Sequence, residues 1–375
     1  MTSLPPAAFV HDWLVTWGGG EQVLEAALEA FGPVPIHTLV YKPEVFSQSS
    51  ISRQRILPSF LQRLPGSRRN HRRYLPLMPL AIEQFDLRDY PIVFSSCHAV
   101  AHGVLLRSDQ LHVNYVHSPM RYAWQLYHQY LEESGLTRGL KSWFARMLLH
   151  YLRLWDFQAA QRPDHVIANS HWTARNVWRA YRRQAEVIYP PVDTEAYQPL
   201  SRREEYFLTA SRLVPYKKVG LILEAFKRLG YPLKVVGDGP LLKSYQQEAS
   251  ANIELLGWQP KEHLAELMGR ARAFVYAAEE DFGLTPVEAQ AAGCPVIAYG
   301  SGGVLETVVE GQTGLFFREQ TAEALALAVQ AFEQARGQFD AGRIRAQVDR
   351  FGKARFLRQL TATLDRMWQD FRPGS

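Results

Sequence analysis

Short apolar runs alternate with amphipathic stretches along nearly the whole chain, and that alternation limits the fold more tightly than any single residue does. In the first half the runs Ala8 to Trp13, Ile36 to Val40, Ile92 to Ser95, His112 to Val116 and His165 to Ala168 read as buried strands. Helices are expected to begin near Gly20, Met120, Thr137 and His171. In the second half, strands are expected at Tyr206 to Thr209, Leu233 to Val236, Ile253 to Leu255, Ala273 to Tyr276 and Val296 to Tyr299. Helices intervene at Val219 to Leu229, Leu241 to Ala249 and Lys261 to Arg270. Such a sequence builds parallel sheets with helices on both faces, that is, two doubly wound α/β units whose ligands bind at the carboxyl ends of the strands.

The boundary between the two units is legible. Tyr189, Pro190, Pro191, Val192 and Asp193, continuing to Pro199, form a proline-rich extended stretch that neither a helix nor a central strand tolerates. The expected domains are therefore 1–190 and 191–352, followed by a terminal helical stretch over 353–375. A length of 375 residues suits two domains of this kind.

Composition bounds the function classes. A hydrophobic content of 47% with 21% charged residues is that of a soluble globular protein. No apolar run approaches the ~20 residues of a membrane span, and Met1 to Pro6 lack the basic flank and apolar core of a secretion signal. A cytosolic protein is expected. Cys97 and Cys294 lie far apart, each in an apolar segment, which reads as two buried thiols.

The net charge of +5 is unevenly spread. From Val45 to Ile82 there is no acidic residue, while Arg53, Arg55, Arg63, Arg68, Arg69, Arg72 and Arg73 accumulate among Leu57, Phe60, Leu61, Leu64, Tyr74, Leu75 and Leu77. A basic amphipathic stretch reads as peripheral binding to an anionic membrane, with a basic face lacking any partner as the bland alternative. Nucleic acid is disfavoured because no recognised nucleic-acid motif accompanies the charge.

The chemistry-bearing residues gather at expected strand ends. Glu280 and Glu288 flank a loop-to-helix junction through Phe282, Gly283 and Leu284, where they can grip two ends of one polar ligand. Thr285 is the expected cap and Pro286 the first helical residue, with Gly293 as the stop. In that register Thr285 and Glu288 also spell a capping box, in which the glutamate serves only the helix. A second helix is expected after Gly300 to Gly303, so that two helix N-termini suited to a phosphate would approach one region. Arg212 and Lys217, five residues apart in a strand-to-helix turn, can converge on a pyrophosphate, the arginine as a fork and the lysine as a point charge. Gly237 and Asp238, in Gly237 to Pro240, end the next strand. Gly19 and Gly20, between Trp17 and Glu21, open the first helix without matching a dinucleotide or P-loop fingerprint. His11, Asp12, His98 and His117 follow apolar strands, and Ser170 reads as a helix cap.

The Glu280 to Glu288 spacing resembles the E-x7-E signature of retaining glycosyltransferases of the GT-B fold, specifically glycosyltransferase family 4. The Arg212 to Lys217 turn is similar to that family's G-R-x-x-x-x-K element, with Ser211 in place of the glycine. The resemblance implies a GT-B architecture of two doubly wound Rossmann-like domains facing a central cleft. It also implies that the terminal helix crosses back onto the first domain. It implies donor diphosphate binding by Arg212 and Lys217 and a donor cleft lined by Gly19, Gly20, Gly237 and Asp238. Phe282, Gly283 and Leu284 would lie beside Glu280 on the hexose hydroxyls and Glu288 on the ribose. His117 would sit near the reacting sugar, with His98 the weaker candidate.

The first-domain segments around His11 to Leu14, Leu75 to Pro79 and His117 to Tyr122 resemble bacterial O-antigen and exopolysaccharide mannosyltransferases. That similarity implies a GDP-mannose co-substrate, no metal, no other cofactor, and a lipid-linked or saccharide acceptor. Arg68, Arg69, Arg72 and Arg73 would then meet the acceptor or the inner face of the cell membrane. A UDP-hexose donor, a GT-B sugar-nucleotide epimerase and a catalytically silent nucleotide-sugar binder are the alternatives.

Overall fold

The computed structural model describes residues 4–200 and 202–371. Met1 to Ser3 of the expected leaderless start, and 372–375 of the expected terminal helix, lie outside the described residues. The chain divides into two compact units, the first comprising residues up to Pro191 together with those from Phe356 onward, the second Val192–Arg355.

The first unit is a seven-stranded sheet, every pair parallel, in the order β3-β2-β1-β4-β5-β6-β7. The strands are β1 (Ala7–His11), β2 (Ile36–Thr38), β3 (Ile56–Pro58), β4 (Ile92–Cys97), β5 (Leu111–Val116), β6 (His165–Ala168) and β7 (Glu186–Val187). Alternate residues serve opposite faces, as the pleat requires. Ala8 and Val10 enter one apolar cluster with Val93, whereas Ala7 and Phe9 enter another with Ile92 and Phe94. Burial of both faces explains why these strands read as continuous apolar runs. The helix Lys353–Phe371 contributes Phe356, Leu360, Leu364 and Met367 to the second of these clusters.

The second unit is a six-stranded parallel sheet in the order β10-β9-β8-β11-β12-β13. Its strands are β8 (Phe207–Ala210), β9 (Leu233–Val236), β10 (Ile253–Gly257), β11 (Phe274–Tyr276), β12 (Val296–Tyr299) and β13 (Gly314–Phe317). Each sheet reverses its strand order once, between β1 and β4 in the first and between β8 and β11 in the second. Such reversals open the crevice in which doubly wound sheets take ligands.

Several expected elements are corrected. β3, β7 and β13 were not expected from the sequence; all three are edge strands of two to four residues, too short for their apolar residues to stand out. No helix starts at Met120, which is buried in the core; the helix there is Tyr127–Glu133. The next begins at Leu140, after Gly139 at φ 84°, rather than at Thr137. The basic segment forms no continuous amphipathic helix. It is broken into the strand β3, 3-10 turns and a single helical turn, Ser67–Asn70. Leu61, Leu64, Tyr74 and Leu75 pack into the core, whereas Phe60 and Leu77 stay exposed beside the exposed Arg68, Arg69, Arg72 and Arg73.

Candidate functional site

In the second unit, the loop after β8 and the loop after β11 meet at the strand-order reversal. Lys217 and Glu280, 63 residues apart, form an ion pair there, with side chains only 14% and 17% exposed. The other oxygen of Glu280 accepts a hydrogen bond from the Tyr276 hydroxyl. Arg212 in the same β8 loop is exposed, with no side-chain hydrogen bond among the described residues. Lys218 takes a left-handed backbone, φ 55°, a position uncommon for a non-glycine residue, and turns the chain into the helix Val219–Leu229.

The glycines at the end of β9 make this loop possible. A β-carbon on Gly237 would lie 1.8 Å from the Ser211 carbonyl oxygen, and one on Gly239 would lie 2.4 Å from that of Leu213. What approaches these glycines closely is therefore the Arg212 loop itself, held by the Leu213 amide donating to the Asp238 carbonyl at 2.9 Å. The Asp238 carboxylate accepts from the Gly239 amide at 2.7 Å.

The helix carrying Glu288 is Leu284–Ala291, and its cap is Gly283 at φ 81°, not Thr285. Thr285 and Pro286 fall inside the first turn, where the missing proline N–H costs nothing. No side-chain cap bond forms, so the capping box is absent and Glu288 is released from that role. Its carboxylate accepts instead from the Tyr197 hydroxyl. Burial pushes the Glu288 pKa up, against the opposing pull of Lys261 and Tyr197. Phe282 turns inward against Phe351, ring centroids 5.5 Å apart, so only its backbone can meet a ligand. The expected second helix is a single turn, Val304–Thr307, whose N-terminal field is correspondingly weak. A β-carbon on Gly302 or Gly303 would strike the backbone of Glu280 or Asp281, at 2.4 and 2.3 Å, so this turn braces the acidic loop.

In the first unit the ends of β1, β4 and β5 converge. Ser96 Oγ lies 3.1 Å from His11 Nδ1 and 2.8 Å from His117 Nε2. A hydroxyl has one proton, so it donates to one imidazole and accepts from the other. His11 Nε2 lies 3.5 Å from the Glu21 carboxylate, which favours a proton on that nitrogen and hence Ser96 donating to His11 and accepting from His117. Gly20 opens beside both rings, its hypothetical β-carbon 3.5 Å from His117 Nε2 and 3.6 Å from His11. Burial, with His98 and His11 nearby, holds the His117 pKa well below the ordinary value, so the ring is neutral.

Asp12, fully buried, accepts from four consecutive backbone amides, His98 at 2.7 Å, Ala99 at 3.0 Å, Val100 at 2.6 Å and Ala101 at 2.8 Å. It also lies 3.1 Å from His98 Nδ1. Burial raises its pKa, but His98, His11 and the amides outweigh that and hold the carboxyl below its ordinary 3.8. The same loop is held from behind by a buried chain in which His102 lies 2.9 Å from Cys97 Sγ and 3.3 Å from Asp156. None of these three side chains is more than 2% exposed, so the trio braces the loop and offers no nucleophile to a substrate. Ser96, Tyr276 and Tyr197 escaped the sequence reading, since a lone hydroxyl, in a strand for the first two and after the turn Thr194–Ala196 for Tyr197, gives no periodic signal. Ser170, expected as a cap, accepts from the Thr173 amide at 2.9 Å.

Two family descriptions account for most of the chain. Glycosyltransferase Family 4 matches residues 17–196, and Glycosyl transferases group 1 matches residues 194–349. The chain has the paired Rossmann-like sheets of the GT-B fold, and each of its halves matches one of these two glycosyltransferase descriptions. An uncharacterized glycosyltransferase of Methanocaldococcus jannaschii is 31% identical over 164 residues, 42% of this chain and 46% of its own. A GDP-mannose-dependent alpha-(1-6)-phosphatidylinositol monomannoside mannosyltransferase of Mycolicibacterium smegmatis is 30% identical over 174 residues, 38% of this chain and 46% of its own. The chain thus spans about half the length of the curated relatives it matches. Among solved structures, Anabaena HepE in complex with UDP and glucose superposes with a TM-score of 0.70 at 18% identity, covering 96% of this chain and all of HepE. At that identity the likeness bears on the fold alone.

The assignment of Glu288 leads to a direct expectation. Glu288→Gln keeps an acceptor for Tyr197, so melting should hold; on the expectation that Glu288 holds a donor ribose, the KM for donor should rise at least about tenfold. Measured together, an unchanged KM would return Glu288 to the purely structural role of holding Tyr197.

Proposed function

We propose that this protein transfers a hexose from a nucleotide diphosphate sugar to an acceptor hydroxyl with retention of configuration, the favoured donor being GDP-mannose. The observation that carries the reading is the Arg212 loop and the Lys217–Glu280 pair at the strand-order reversal of the second unit. The difficult event is departure of the nucleoside diphosphate, which leaves an oxocarbenium-like sugar. Arg212 and Lys217 supply fixed positive charge to the departing oxygen, the preorganised stabilisation that lowers such barriers most. As the diphosphate arrives, Lys217 exchanges its contact with Glu280 for the phosphate, and the freed carboxylate meets the hexose hydroxyls. Glu288 holds the ribose. His117, neutral and positioned by Ser96, hydrogen-bonds the sugar. The anomeric carbon loses its bond to the donor phosphate and gains one to the acceptor oxygen on the same face. The acceptor proton passes to a diphosphate oxygen.

The Mycolicibacterium relative's GDP-mannose supports the nucleotide. A UDP-hexose is the second reading, favoured by the UDP and glucose of the HepE complex. The acceptor is a saccharide or a lipid-linked sugar, with Arg68, Arg69, Arg72 and Arg73 available to an anionic headgroup. Competition among GDP-mannose, GDP-glucose, UDP-glucose and UDP-N-acetylglucosamine tests the donor, and preference for a UDP sugar refutes the nucleotide. A β-anomeric product refutes retention. Because the charge is built into side chains, turnover should survive EDTA; abolition by EDTA and rescue by Mg²⁺ or Mn²⁺ would overturn the metal-free mechanism.

A further inference from the structure

The helix Leu140–Ala159 is apolar on two faces, of which only one is covered. Leu149, Leu152, Trp155 and Ala159 are buried in the first unit. Leu140, Trp143, Phe144, Met147, Tyr151 and Leu154 recur at the spacing of a single helical face and stand in solvent, Leu140 at 72% and Leu154 at 61% exposure. A helix apolar all round ordinarily belongs inside a protein or against lipid. At 20 residues it is about 30 Å long, yet no helix of the described residues is long and apolar enough to cross a membrane.

Charge identifies the occupant. There is no acidic residue between Ser134 and Trp155, while Arg138 and Lys141 stand at the start of the helix and Arg146 and Arg153 follow one margin of the stripe. Arg146 and Arg153 are steadied over the Tyr127 ring, at 5.9 and 4.8 Å. A second copy of this chain meeting the stripe across a twofold axis would set these cations against their own equivalents. An anionic bilayer instead offers phosphates to the margin and acyl chains to the stripe, with Trp143 and Tyr151 at the level such rings prefer.

We propose that the exposed face of Leu140–Ala159 docks this protein on an anionic lipid surface, lying in the interface plane. This deepens the lipid-linked arm of the acceptor reading and rests on it for its purpose, whereas the docking itself is a separate measurement. It moves the main apolar anchor away from the Arg53 to Arg73 segment, where Leu61 and Leu64 are committed to the core and Phe60 alone among the exposed large apolar side chains reaches solvent, at 40%.

The test is flotation of the full chain with phosphatidylglycerol and phosphatidylcholine vesicles, against phosphatidylcholine alone. Wild type should float with the anionic vesicles and release as salt rises. The triple variant Trp143→Ser, Phe144→Ser, Leu154→Ser should lose at least about tenfold in partitioning, with melting and hydrolysis of soluble donor nearly unchanged because these side chains stand mostly in solvent and the Trp143–Phe144 ring contact lies at the surface. The conservative pair Trp143→Phe, Tyr151→Phe should retain binding. Equal flotation of wild type and triple variant overturns the proposal. So does loss of binding only on reversal of Arg68, Arg69, Arg72 and Arg73 to glutamate, or a concentration-dependent dimer that the triple variant breaks while no vesicle is bound. Vesicle binding with no turnover of any nucleotide sugar would instead count against glycosyl transfer and leave the docking standing.

Discussion

Arg212→Ala should lower the turnover of saturating donor by about 10²-fold or more with no change in melting, because the side chain is exposed and its loss removes only charge facing the leaving group. Lys217→Ala should match that loss of rate and also melt earlier. Its removal strands the mostly buried Glu280 carboxylate, and breaking such a pair is costly where replacing both partners is not. The double variant Lys217→Met, Glu280→Gln should therefore recover most of the melting temperature but none of the rate. Release of nucleoside diphosphate and calorimetry on the four proteins check this. Near-normal turnover in Arg212→Ala would return the loop to solvent and remove the diphosphate assignment.

The second large effect is on stability. Asp12→Asn presents an amide NH₂ to two backbone N–H groups that now have a carboxylate oxygen, so two buried donors lose their acceptor. The expected cost is about 3–5 kcal/mol, the range for breaking a buried charged contact. In a unit of this size that lowers Tm by roughly 10 °C. The pH dependence separates charge from shape. The folded Asp12 pKa lies below its unfolded 3.8, so its stabilisation is complete above about pH 4 and disappears as pH falls through the lower folded value. The gap between wild type and variant should close only in that acid range.

Both proteins share an earlier decline. His98, His112 and His117 are held by burial below the ordinary 6.5, so the unfolded chain takes up protons first and stability falls as pH drops below about 6.5. A difference between wild type and variant that did not begin to narrow as pH falls below 3.8 would show that the carboxylate charge is not what holds the loop.

What the sequence disclosed follows from burial. β6, β9 and β12 coincide with their expected runs because strands covered on both faces are largely apolar, with only Lys234 and His165 interrupting. The edge strands β3, β7 and β13 run only two to four residues, too short for the pattern to register, whereas the longer edge strand β10 was legible. Glycine conformations were the next loss. The left-handed Gly283 moved the start of a helix by enough to abolish a capping box, and Gly139 did the same for the start of Leu140–Ala159. Arg212, Lys217, Glu280 and Glu288 stood out individually, but the Lys217–Glu280 contact joins two loops whose meeting depends on strand order, which residue spacing does not encode. The arginine-rich segment was ambiguous for a related reason: interleaved leucines look alike whether they turn toward lipid or toward a core, and here Leu61, Leu64 and Leu75 turn toward the core while Leu77 does not.

The helix Lys353–Phe371 has a consequence for how the chain is made. Phe356, Leu360, Leu364 and Met367 complete an apolar layer begun by Ala7 and Phe9, so the first unit to leave the ribosome is the last to be finished. At ordinary translation rates that layer waits on the order of ten seconds or more for its missing helix, while the whole second unit is synthesised. During that interval the nascent first unit presents bare apolar surface and is a natural client for a chaperone. For the same reason a fragment ending at Pro191 is an unfinished half rather than a domain, and the two units are better dissected by substitution than by cutting the chain.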